Sequence, residues 1–116
     1  MHDGLRACVA YIAASLGGAS TARSIYDRSA EERINVSGTV SPASVALYDH
    51  ARGANISGTP SSLYDHSLGA HVSLNVTGTT FSGFDHASNS HFSGTISANS
   101  VSLYDHDTKS HFHYSF

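Results

Sequence analysis

The feature that most constrains the fold of this chain is a short phrase repeated five times: an aromatic residue, then Asp, then Arg or His. The copies begin at Tyr26, Tyr48, Tyr64, Phe84 and Tyr104, and each follows a small apolar and Ser-containing run. In the last three copies a second histidine stands five residues after the first. Internal self-similarity of this kind predicts that one supersecondary unit is copied and stacked on its neighbours.

Alternation of apolar and polar residues predicts that the repeated unit is a β-hairpin. Residues 100–106 and 111–116 alternate with a period of two, which is typical of half-buried strands. The apolar residues before each repeated Asp have odd numbers, and those after it have mostly even numbers. Facing residues in a hairpin with an even loop have opposite parity, so all these apolar side chains are expected on one face.

The hairpins predict a mainly β fold, an antiparallel meander of about ten short strands. Two-residue loops are expected at residues 42–43 and 98–99, and four-residue loops at 67–70, 87–90 and 107–110. Because open sheet edges invite aggregation, the sheet is expected to curl or close into a barrel-like form. A β-solenoid with two strands per turn is the alternative.

Residues 1–22 differ in kind from the repeat domain at residues 23–116. Asp3 is a plausible N-cap, apolar residues recur at helical spacing, and Gly17 and Gly18 would end the helix. This helix can cap or fill the apolar side of the sheet. The segment also resembles a weak secretory signal, with Arg6 as its charged part and residues 19–22 as a small-residue exit, in which case the protein would be secreted. We favour the helix, because Asp3 does not suit a positively charged leader.

Composition argues against several classes of protein. Charged residues make up 13% of the chain, the formal net charge is -3, and there is no basic stripe, so a nucleic-acid partner is not expected. Cys8 is the single cysteine, which excludes an intrachain disulfide and a cysteine-based zinc site. No apolar run is long enough to predict a transmembrane helix.

The sequence of the last repeat resembles repeats found in other proteins. Residues 101–106 are Val-Ser-Leu-Tyr-Asp-His, and residues 110–116 are Ser-His-Phe-His-Tyr-Ser-Phe. Over residues 24–116 the chain resembles short bacterial proteins of unknown function built from Ser-Gly-x-Val-x-Gly-Asn-Ser-Val-Ser-Leu-Tyr-Asp-Tyr type repeats that end in an aromatic strand. In those repeats Tyr often stands where this chain has His, so the paired histidines depart from that pattern. Because the function of those proteins is unknown, the resemblance implies no activity.

The paired histidines are candidate metal ligands. With the expected loops, the members of three pairs lie directly opposite each other, with Cβ atoms about 5 Å apart. Imidazole suits Zn, Ni or Cu. The first copies have Arg28 with Arg33 and His50 with Asn55 instead, which favours simple cross-strand pairing without a cofactor; pH sensing is a further alternative. The candidate ligands are His66 with His71, His86 with His91, and His106 with His111, supplemented by His113.

The repeated aspartates and aromatic residues predict two other features. Asp27, Asp49, Asp65, Asp85 and Asp105 stand at strand ends with the parity of the apolar face, and each is expected to cap the N–H groups of the following loop. The aromatic residues of the five copies share the outward face with serines. That strip is a candidate surface for binding a sugar or docking a protein.

These patterns favour a non-enzymatic structural or binding domain that presents Tyr, Ser and His to a partner. Adjacent Asp and His in a strand point to opposite faces, so abundant Ser, His and Asp do not imply a catalytic triad. The expected partner is a polysaccharide or a second copy of the chain. The alternatives are a divalent-metal-binding protein and a carbohydrate-binding module.

Overall fold

Ten antiparallel strands close into a barrel around the N-terminal helix in the computed structural model, which describes residues 1–19 and 23–116. Each strand pairs with its neighbours in sequence, and the last pairs with the first, so the sheet has no open edge. The predicted barrel-like meander is confirmed, and the solenoid alternative is wrong. The elements are α1 (Asp3–Leu16), β1 (Ser24–Asp27), β2 (Glu32–Val40), β3 (Val45–Asp49), β4 (Ala54–Thr59), β5 (Ser62–Asp65), β6 (Ala70–Thr77), β7 (Thr80–Asp85), β8 (Ser90–Ile96), β9 (Ser100–Asp105) and β10 (Ser110–Ser115).

The strands turn their apolar residues into one interior, as the parity of the sequence predicts. Odd-numbered Leu47 and Leu103 and even-numbered Ile56 and Phe92 are all buried in the same core cluster. Phe116 packs against this cluster at its edge. The polar residues of the strands, apart from the aspartates at the strand ends, therefore face outward and form the outer surface of the barrel.

Helix α1 fills the barrel rather than capping it. Its buried residues lie on every side of the helix, and many of them are small: Leu5, Arg6, Ala7, Cys8, Val9, Ala10, Ile12, Ala13 and Ala14. A helix without a polar face must be surrounded by protein, and the small side chains let it fit inside the sheet. Within the described residues no helix is long and apolar enough to cross a membrane.

The helix ends differ slightly from the prediction. The N-cap is His2, whose Nδ1 accepts a hydrogen bond from the backbone N–H of Gly4 at 3.1 Å, and Asp3 is the first helical residue. The helix ends before Gly17, as predicted. Of the small-residue exit expected at residues 19–22, residues 20–22 lie outside the described residues.

One end of the barrel carries two-residue loops. Val40 pairs with Val45 and Ile96 with Val101, so the loops predicted at 42–43 and 98–99 are confirmed. A backbone hydrogen bond closes each of them, with N···O distances of 2.9 Å at residues 41–44 and 2.8 Å at residues 97–100.

The other end carries five four-residue loops, one after each repeated Asp. They begin one residue earlier than predicted: Asp105 pairs with Ser110, so the last loop is 106–109 rather than 107–110. The fourth loop residue has a left-handed backbone in every copy, with φ of 53° at Glu31, 61° at Gly53, 63° at Gly69, 55° at Asn89 and 56° at Lys109. This change of register decides which side chains meet on the outer surface.

Candidate functional site

The five repeated aspartates lie inside the barrel, at the ends of their strands. They are between 0% and 4% exposed. In each, Oδ1 accepts a hydrogen bond from the backbone N–H two residues later, at 2.9 to 3.1 Å. The carboxylate therefore holds the start of the loop, and the strand pairing stops at the Asp. The residues are Asp27, Asp49, Asp65, Asp85 and Asp105.

Arg52 joins two of these aspartates inside the barrel. Its Nε donates to Asp49 Oδ2 at 2.7 Å, and its Nη1 lies 2.9 Å from Asp65 Oδ2 in an ion pair that is not aligned as a hydrogen bond. Burial by itself lowers the pKa of the Arg52 guanidinium, but the two carboxylates outweigh it and raise the pKa. The Cys8 thiol donates to Asp49 Oδ2 at 3.5 Å, and burial raises the pKa of this thiol to about 12.

Arg6 is a second cation inside the barrel. Its Nη1 lies 3.3 Å from Asp105 Oδ2, its Nε donates to the Tyr114 hydroxyl at 3.2 Å, and its guanidinium carbon stands 3.4 Å from the ring centroid of Phe112. Sequence reasoning missed the pairing of Arg52 and Arg6 with the repeated aspartates. The available signal was the parity of the aspartates, because a carboxylate on an apolar face needs a buried cation or hydrogen-bond donors.

The outer surface at the same end carries what we call the ring band: the aromatic residues Tyr48, Tyr64, Phe84 and Tyr104 with their neighbouring histidines. Each aromatic ring is half-buried and contacts the imidazole two residues later. Three of them also contact the imidazole across the hairpin, and all seven ring pairs have centroids 4.6 to 4.9 Å apart. The histidines of the band are His50, His66, His71, His86, His91, His106 and His111, and all of them are exposed.

The predicted facing of histidines within each hairpin is wrong. Tyr64 pairs with His71, Phe84 with His91, and Tyr104 with His111. An aromatic ring therefore stands between His66 and His71, between His86 and His91, and between His106 and His111. The cause is the position of the loop. Each loop begins directly after the aspartate that caps it, so His111 pairs with Tyr104, two residues before the expected partner His106.

Histidines do face each other between neighbouring hairpins. Val72 pairs with Asp85, so the residue before Val72, which is His71, lies opposite the residue after Asp85, which is His86. The His86 N–H donates a hydrogen bond to the His71 carbonyl at 3.1 Å. The same relation places His91 opposite His106, again with an N–H to carbonyl distance of 3.1 Å.

The remaining imidazoles have other partners. His66 faces Asn55, and its Nε2 lies 2.8 Å from the Ser57 hydroxyl. His50 is held in the same way, with Nε2 3.0 Å from the Ser37 hydroxyl. His113 pairs with Ser102 within the last hairpin, and its carbonyl accepts a hydrogen bond from the Arg28 N–H across the barrel closure.

Potential metal ligands do not gather in larger groups. Among the described residues, no three or more His, Cys, Asp or Glu side chains are placed to hold one metal ion. The five repeated aspartates lie inside the sheet and the imidazoles of the ring band lie outside it, so these two sets of side chains do not converge.

Three grooves of similar composition lie on the outer surface. Each is lined by a serine, the aromatic residue that pairs with it on the next strand, and the Asn or His that pairs with that ring on the strand after. Their volumes are about 440, 300 and 350 Å³. The three sets are Ser37, Tyr48 and Asn55; Ser73, Phe84 and His91; and Ser93, Tyr104 and His111.

Tyr26, in the first copy, departs from this pattern. It pairs with Arg33, whose guanidinium lies 5.7 Å from the tyrosine ring centroid, and with Ser115 across the barrel closure. It lines none of the three grooves.

Comparison with known proteins gives no relative. No protein-family model matches the chain, and neither the curated proteins nor the solved structures give a match. The resemblance to bacterial repeat proteins therefore stays a prediction, and the function must be argued from the geometry.

Proposed function

We propose that this chain is a non-catalytic binding protein whose three outer grooves bind a polysaccharide. The observation that best supports the proposal is that the same groove lining recurs. The same triplet of hydroxyl, aromatic ring and amide or imidazole lies at three places around the barrel. A polymer repeats its own unit, so several similar grooves can bind one chain together and raise the overall affinity.

The chemistry of each groove suits a sugar ring. A sugar offers hydroxyl groups at its edge and C–H groups on its faces. Ser73 and His91 can exchange hydrogen bonds with hydroxyls, and Phe84 gives an apolar wall. The groove volumes of about 300 to 440 Å³ lie in the range of small-molecule sites. Since α1 occupies the interior of the barrel, the outer surface is where a ligand of this size would bind.

Affinity electrophoresis tests the proposal. The protein is run through native gels that contain a β-glucan, a mannan or polygalacturonate, and we expect at least one polymer to retard it. Replacing Tyr48, Phe84 and Tyr104 by Ala, singly and then together, should weaken the retardation in steps. Thermal melting of each variant separates loss of a groove from loss of the fold.

Tyr26→Ala is the matched control. Tyr26 occupies the same place in the repeat and is also half-buried, but it lies outside the grooves. The control should be retarded as strongly as the unmodified protein. The proposal is wrong if no polymer in the panel retards the protein, or if Tyr26→Ala weakens the retardation as much as the groove variants do.

A further inference from the structure

We infer that the two histidine pairs formed between hairpins, His71 with His86 and His91 with His106, are two equivalent binding sites for a late first-row divalent metal ion. In each site two imidazole nitrogens would coordinate the ion and water would complete the shell. This inference does not rest on the polysaccharide proposal, although His91 of the second site also lines one of the three grooves.

The strand register brings each pair together. Residues directly opposite in an antiparallel pair have Cβ atoms about 5 Å apart. Backbone hydrogen bonds of 3.1 Å fix this opposition in both pairs. Two imidazoles at that separation can turn their nitrogens toward one ion between them, and imidazole is a preferred ligand of Zn²⁺, Ni²⁺ and Cu²⁺.

The ring nitrogens of these four histidines are free to bind. In the part of the chain that the structure describes, no hydrogen bond reaches the ring nitrogens of His71, His86, His91 or His106, whereas Nε2 of His66 lies within hydrogen-bond distance of the Ser57 hydroxyl. The residue opposite His66 is Asn55, whereas the residue opposite His86 is His71, so the sequence places a second imidazole opposite His86 and not opposite His66.

The surroundings favour an ion over a closed contact between rings. His71 packs against Tyr64, and His86 packs against Phe84, so an aromatic contact restricts each imidazole. A groove of about 290 Å³ is lined by both histidines together with Ser62 and Ser73. The groove has room for water ligands, and the hydroxyls can orient them. Restricting each imidazole in advance lowers the entropy cost of holding the ion.

Each site has two protein ligands instead of the four of a structural zinc site, so binding should be weaker and reversible. The ion would link β6 to the loop after β7 in one site, and β8 to the loop after β9 in the other. Because the two histidines of each site meet only in the folded chain, bound metal should raise the temperature of unfolding.

Zinc titration with calorimetry and thermal melting tests the inference. We expect two Zn²⁺ ions per chain and a rise in the melting temperature with zinc concentration. His86→Ala should remove one ion, and His86→Ala combined with His106→Ala should remove both ions and the whole rise. The double variant of the opposite members, His71→Ala with His91→Ala, should give the same result, which guards against an effect of one substitution on folding.

The matched control is His66→Ala with His111→Ala. Both residues are exposed, both pack against the same tyrosine rings as the site residues, and neither belongs to a facing pair. This control should keep both ions and the full rise in melting temperature. The inference is overturned if the control loses zinc as the site variants do, or if zinc binds in no defined ratio and leaves the melting temperature unchanged.

Discussion

Replacing Arg52 by Met should destabilise the barrel strongly. The substitution keeps an unbranched side chain but removes the cation that lies 2.7 Å from Asp49 and 2.9 Å from Asp65. Both carboxylates are 1% exposed or less, so water cannot replace the lost partner. Removing one member of a buried ion pair costs about 3–5 kcal/mol. The Arg52 side chain is 14% exposed, which places the expected loss near the lower end, about 3 kcal/mol.

That loss is large for a chain of 116 residues. A domain of this size is stable by roughly 6–17 kcal/mol, and 1 kcal/mol corresponds to about 4 °C in melting temperature. We therefore expect Arg52→Met to melt about 12 °C below the parent, measured by circular dichroism at neutral pH. Arg28→Met is the control, because Arg28 is an exposed arginine in the equivalent loop of the first hairpin; it should change stability by less than about 0.5 kcal/mol.

A charge-neutral rescue distinguishes loss of the cation from loss of packing. Adding Asp49→Asn and Asp65→Asn to Arg52→Met removes the unpaired carboxylates and should restore part of the lost stability. A melting temperature of Arg52→Met within about 2 °C of that of Arg28→Met would refute a stabilising role of the Arg52 cation. A further drop in melting temperature on adding the Asn substitutions would refute it as well.

Three further results are expected. Lys109→Gly should stabilise the protein to urea by up to about 1 kcal/mol, because glycine adopts the left-handed backbone of Lys109 without strain; a destabilised variant would contradict this. Gly38→Ala should lower the free energy of unfolding in urea by at least about 1–3 kcal/mol, because φ of Gly38 is 117° and a Cβ there would meet the Ala46 carbonyl oxygen. An unchanged urea midpoint would show that this close approach is absent. Because the pKa of the Cys8 thiol is raised in the folded chain, the thiol loses its proton at a lower pH in the unfolded chain than in the folded one. The free energy of unfolding should therefore decrease between about pH 9 and 12, and Cys8→Ala should make that decrease smaller. Tyr114, whose pKa is also raised by burial, should leave a residual fall at higher pH, and equal slopes with and without Cys8 would be inconsistent with a buried thiol.

The odd and even numbering of the apolar residues explains why the buried face was predicted correctly and the pairing within each hairpin was not. Parity assigns every apolar strand residue to one face, and a shift of register by two residues leaves that assignment unchanged. Pairing His111 with His106 or with Tyr104 is therefore equally compatible with the hydrophobic pattern. The deciding interactions are local: Asp105 holds the loop amide of Asp107, and the fourth loop residue takes a left-handed backbone.

The left-handed backbone of the fourth loop residue could have been predicted from the sequence. Gly53, Gly69 and Asn89 occupy the fourth place of their loops, and these residue types favour a left-handed backbone. The position of α1 could be predicted only in part, because helical spacing does not distinguish a helix that caps a sheet from one that lies inside a barrel. The signal in the sequence was the lack of a polar face over residues 7–14, which is typical of a helix surrounded by protein. That a closed sheet surrounds the helix follows from the strand topology.

The most direct test of this account is a measurement of which backbones are neighbours between hairpins, by nuclear Overhauser contacts in an isotope-labelled sample. The account predicts contacts that join Phe92 to Asp105, the amide of His106 to His91, and Tyr26 to Ser115. Contacts showing residues 106 and 111 as a directly opposed pair, with none joining residue 91 to residue 106, would contradict it and remove the basis of both proposed metal sites.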